Sequence, residues 1–61
     1  MTLEQGAYIV EHRRWKATYP ANVSGDIARL YYDGRWFAYD LDTLLNDGAK
    51  FIPALEAALQ L

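Results

Sequence analysis

Sixty-one residues with a mass of 7.0 kDa hold one small domain and leave no room for a second. A composition of 52% hydrophobic, 15% aromatic and 23% charged residues excludes a disordered chain, and zero cysteines exclude a disulfide staple or a thiolate metal site. Eight acids against six bases give a net charge of −2, the wrong sign for a free-standing electrostatic nucleic-acid binder.

The charge is unevenly placed. Residues 1–35 carry four acids and five bases, whereas residues 36–61 carry four acids and one base, Lys50, so the two ends suit different partners or each other. No run of 18 apolar residues exists, and Met1-Thr2-Leu3-Glu4-Gln5 lacks a basic, apolar leader, which predicts a cytoplasmic protein with no membrane partner.

In chain order, Ala7 to Tyr19 is rich in β-branched and aromatic residues and reads as the first strand. Its alternation slips: Tyr8 and Val10 share one parity, Trp15, Ala17 and Tyr19 the other. A β-bulge around Arg13 and Arg14 would bring both sets to one face, because one extra residue flips the phase. Pro20 to Asp26 reads as a loop by its Pro, Asn, Ser and Gly content.

The clearest local signal follows. Asp33-Gly34 sits between two aromatic-rich runs, the favoured composition for a two-residue type I′ hairpin. That turn sets Tyr32 opposite Arg35, Tyr31 opposite Trp36, Leu30 opposite Phe37, Arg29 opposite Ala38, Ala28 opposite Tyr39 and Ile27 opposite Asp40. Alternation then separates a core face of Ala28, Leu30, Tyr32, Phe37, Tyr39 and Leu41 from a face of Ile27, Arg29, Tyr31, Trp36, Ala38 and Asp40.

Downstream, Asp42 or Thr43 suits an N-cap, and Leu41, Leu45, Gly48, Ile52, Leu55 and Leu59 recur at helical spacing. Asn46-Asp47-Gly48 reads as a helical stop and Pro53 as a first-turn residue, which predicts a helical turn over 43–47 and a second helix over 51–60. The predicted architecture is α+β: a three-stranded antiparallel meander with a C-terminal helix, broken near Gly48 and Pro53, packed on one face.

The chemistry available is thin. With one His and one Ser, a triad would require His12 and Ser24 to meet, and His12 reads as a half-exposed strand residue. Asp40 and Asp42 share one side of a strand end, but capping by Asp42 and pairing of Asp40 with Arg29 account for both. No catalytic group, metal site or cofactor is expected.

The second sheet face is richer. Tyr31 and Trp36 form a cross-strand aromatic pair beside Arg29, a mixture enriched at binding hot spots, and Arg13, Arg14 and Trp15 join them as candidate partner-binding residues. Coverage of the aromatic pair by the first strand, by the N-terminal segment or by a second copy is the structural alternative. The reading that best fits size and charge is a non-enzymatic module that binds another protein or protein complex, as an inhibitor or regulator of a larger machine. In size and acidity the chain resembles the small inhibitors that phages and mobile elements direct at host machinery, including anti-CRISPR proteins.

Two alternatives stand beside it. The order Trp15-Lys16-Ala17, then Tyr31-Tyr32-Asp33-Gly34-Arg35, then a helix, resembles the arm-type DNA-binding domains of tyrosine recombinases over about half the chain. Arg13, Arg14, Lys16, Arg29 and Arg35 fall on or beside strands, interleaved with Trp15, Tyr31 and Trp36, and a three-stranded sheet with a supporting helix suits a major groove or offers stacking platforms for nucleic acid. The other is a homodimerising structural protein.

Overall fold

A computed structural model describes residues 3–59, with side chains from Leu3 to Glu56. It is a mostly-β small domain: a five-stranded antiparallel sheet with two very short helices. The elements are β1 (Gly6–Glu11), β2 (Tyr19–Ser24), β3 (Ile27–Tyr32), β4 (Arg35–Asp40), α1 (Leu41–Asn46), β5 (Lys50–Pro53) and α2 (Ala54–Leu59). Strand order is β4-β3-β2-β1-β5, so a four-stranded meander is closed at its far edge by β5.

The β3–β4 hairpin has all six predicted pairs, from Tyr32 opposite Arg35 to Ile27 opposite Asp40. Asp33 at φ 54° and Gly34 at φ 79° supply the two positive values that a type I′ turn needs. The predicted faces also hold. Ala28, Leu30 and Leu41 are buried and Tyr32, Phe37 and Tyr39 half-buried, whereas Ile27, Arg29, Tyr31, Trp36, Ala38 and Asp40 are all exposed.

The three-stranded meander is corrected to five strands. The expected first strand with a bulge at Arg13 and Arg14 is instead β1, a turn closed by Trp15 N–H donating to the His12 carbonyl at 2.9 Å, and the first residue of β2. A turn changes the phase of alternation as a bulge does, which is why the pattern of parities alone did not separate them.

The expected Pro20–Asp26 loop is β2 together with its own hairpin. Ser24 pairs with Ile27, so Gly25-Asp26 is a two-residue turn, with positive φ at Gly25 alone, as in type II′. In that register Pro20 would donate toward β3, and the β2–β3 pairing stops at Ala21 opposite Leu30, one residue short of the missing donor.

The second helix predicted over 51–60 is corrected as well; position 60 lies outside the described residues. Lys50–Pro53 is β5, with Phe51 opposite Val10 and Ile52 opposite Ile9, and only Ala54–Leu59 is helical. Pairing along the free edge of β1 outweighs the helical spacing, and Leu55, assigned to the core by that spacing, is 78% exposed.

One core results. Tyr8 and Val10 of β1, Ala21 and Val23 of β2 and Ala28 and Leu30 of β3 meet Leu41 and Leu44 of α1 and Ala49. Burial of each Val or Leu contributes about 1.5–3 kcal/mol. The Asp40 carboxylate, rather than Asp42 or Thr43, caps α1, accepting from the Thr43 N–H at 3.0 Å and its hydroxyl at 2.9 Å. At the other end Ala49 N–H donates to Leu44 and Gly48 N–H to Leu45, a Schellman ending at the predicted stop.

Candidate functional site

The face of β3 and β4 opposite α1 is uncovered among the described residues. Trp36 is 52% exposed and Tyr31 41%, with ring centroids 5.2 Å apart and planes at 61°, an edge-on pair fixed by their direct cross-strand register. One step along, the register lines up Ala7, Asn22, Arg29 and Ala38 across β1 to β4. Asn22, Arg29 and Trp36 line a recess of about 350 Å³ on this face.

The expected pairing of Arg29 with Asp40 does not occur. Asp40 turns its carboxylate to Thr43 as the α1 cap, and Arg29 makes no ion pair with a described residue. The exposed Arg29 therefore lines the recess with Trp36 and Asn22 and stands opposite Ala38 in the register, a setting suited to a planar carboxylate.

The six candidate residues divide between two places. Arg29, Tyr31 and Trp36 share the uncovered face. Arg13, Arg14 and Trp15 lie in the turn between β1 and β2, with Trp15 half-buried on the core side. Trp15 stacks on His12 at 5.1 Å and meets Tyr19 edge-on at 5.6 Å, and Tyr19 continues to Tyr32 at 5.4 Å. Trp15, Tyr19 and Tyr32, with Tyr39, Leu30 and Leu44, line a cleft of about 340 Å³.

His12 is the largest departure at the level of a side chain: it is buried at 6% exposure, not half-exposed. Its Nδ1 accepts the Arg14 backbone N–H at 3.0 Å, which places the ring proton on Nε2, and Nε2 donates to the Asp47 carbonyl at 2.7 Å. Arg14 reaches the Asp47 carboxylate at 2.8 Å, so it clamps the β1–β2 turn to the end of α1. Ser24 points to the uncovered face at the other end of the sheet, so the chain's one Ser and one His do not meet. The Tyr39 hydroxyl is raised above its usual value, first by its 2.5 Å hydrogen bond to Tyr32, then by burial and by repulsion from the Tyr32 charge.

Asn22 is the site residue that the sequence reading missed, because it was placed in a loop. A two-residue turn at Gly25-Asp26 was the signal available: that pairing brings Asn22 opposite Arg29. Comparison of the chain with protein-family models, curated proteins and solved structures finds no match.

Proposed function

We propose that the chain is a non-enzymatic protein-binding module that inhibits or regulates a larger macromolecular assembly, and that it binds through the uncovered face of β3 and β4. The observation that carries this reading is the exposed Tyr31–Trp36 pair beside Arg29, which makes no ion pair among the described residues. Aromatic rings flanked by arginine, on a rigid sheet, present large contact area at little conformational cost. The acidic balance supports a protein partner over a phosphate backbone.

A second reading, nucleic-acid binding, draws on a different place. Arg13, Lys16 and Lys50 line a cleft of about 520 Å³ that shares Trp15 with the aromatic cleft. Cations beside a stacking ring suit a single strand. This differs from the recombinase resemblance, in which a three-stranded sheet does the reading; the sheet here has five strands.

The test is capture from an extract of the source cells, with and without nuclease. The proposal expects retention that resists nuclease and falls by about thirtyfold, some 2 kcal/mol, in Trp36→Ala or Tyr31→Ala, while Lys16→Ala retains it. Loss of retention on nuclease treatment, or in Lys16→Ala alone, would favour the second reading.

A further inference from the structure

The β4 edge carries the inference furthest. In a two-residue hairpin the pair flanking the turn, Tyr32 and Arg35, is hydrogen-bonded, and bonding then alternates, so residues 35, 37 and 39 bond inward to β3. The Leu41 N–H, next in that series, indeed turns inward to the Asp26 carbonyl at 2.8 Å. Trp36 and Ala38 therefore point both N–H and C=O out of the sheet, and Asp40 its N–H.

Edges of this kind are usually blunted by proline, a bulge, a charge in mid-strand or a covering element. Among the described residues β4 has none of these over Trp36 to Tyr39. The opposite edge, β5, is only four residues long and ends in Pro53. The open edge borders the proposed binding face, and Trp36 belongs to both.

We infer that the partner supplies an extended segment that adds as a sixth strand along β4, with an acidic side chain opposite Ala38 that pairs with Arg29. Strands lie about 4.8 Å apart, so the added strand runs roughly 10 Å from β3. Arg29 faces Ala38 directly, and the alanine methyl leaves an open lane across β4. A guanidinium from one side and a glutamate carboxylate from the other span that lane together, with Asn22 and Trp36 bounding the recess. Residues of the segment two places to either side fall beside Trp36 and Asp40, so an apolar residue completes the contact with the indole.

A second copy of the chain does not satisfy this geometry. The two symmetric antiparallel pairings that use five residues of each β4 are centred on Phe37 or on Ala38, and they bring Trp36 or Ala38 opposite Ala38. Neither sets an acid opposite Ala38, and the copy's Asp40, which the second pairing places opposite Trp36, has its carboxylate held by Thr43.

The inference rests on the protein-binding reading of this face, and its test is separable from that reading. The probe is an acetylated, amidated heptapeptide Ser-Ile-Thr-Glu-Thr-Ile-Ser, which presents the same side chains in either strand direction, titrated into the ¹⁵N-labelled full chain. The expected result is shifts of the Trp36, Ala38 and Asp40 amides, with affinity reduced about tenfold when the peptide's Glu is replaced by Lys. Arg29→Glu should reverse that preference. Ala38→Pro, which removes an outward donor from an edge strand and leaves the β3 ladder intact, should abolish binding with the amide spectrum of β1 to β3 retained.

No edge shifts at millimolar peptide, or equal affinity for the Glu and Lys peptides, would overturn the inference. So would edge shifts that depend on protein concentration without peptide, with a doubled mass in sedimentation, which would assign the edge to a second copy. Capture that still depends on Trp36 after such a result would leave the protein-binding reading standing.

Discussion

His12 shows how one buried polar side chain ties distant segments together. Both ring nitrogens are engaged, one by the Arg14 N–H and one by the Asp47 carbonyl, and the ring lies on Trp15. Removal of the imidazole strands those two backbone groups and opens space beneath the indole. His12→Ala should therefore cost about 2–4 kcal/mol in urea denaturation, and an unchanged midpoint would contradict this role. The Tyr32–Tyr39 hydroxyl pair has a pH signature. Because the folded state raises the Tyr39 hydroxyl above its usual value of 10.0, its contribution is complete below that pH and lost as pH rises through the folded value. Stability should decline above pH 10 with a shallower slope in Tyr39→Phe; identical slopes would remove Tyr39 as the cause.

At the level of elements, the β3–β4 hairpin fixes the candidate site, since its register alone puts Tyr31 beside Trp36 and Arg29 opposite Ala38. Gly34→Val places a β-branched residue at φ 79° and should destabilise by about 1–3 kcal/mol, with loss of the Tyr31–Trp36 ring contact in NMR. Retention of both would show that the register does not depend on this turn. This hairpin, its two faces and the stop at Gly48 were legible because turn chemistry and period-2 alternation act locally. β2 and β5 were not. Pro20 and Gly25 carry loop composition, but the sheet tolerates Pro20 where its pairing with β3 ends, and Gly25 serves a turn rather than a loop. Leu41 to Leu59 keeps a helical period, yet β1 has an edge to fill, and Phe51 and Ile52 fill it. Of the site, the aromatic pair and Arg29 were legible and the separation of Arg29 from Asp40 was not, because the α1 cap fell on Asp40 instead of Asp42.

Taken as a whole molecule, the chain spends one sheet face on its core and, over β3 and β4, leaves the other uncovered among the described residues, with aromatic rings, an arginine and a strand edge gathered there. A domain of this size has few aromatic residues to spare, and exposing Trp36 forgoes burial that would contribute about 1.5–3 kcal/mol. Under the proposed reading, binding a partner recovers it. The most direct test is site-specific photo-crosslinking in the source cells, with p-benzoylphenylalanine placed at Trp36 in one variant and at Lys16 in another. The account predicts a discrete protein adduct on irradiation from position 36 and none from position 16. An adduct from position 16 alone, or none from position 36, would contradict it.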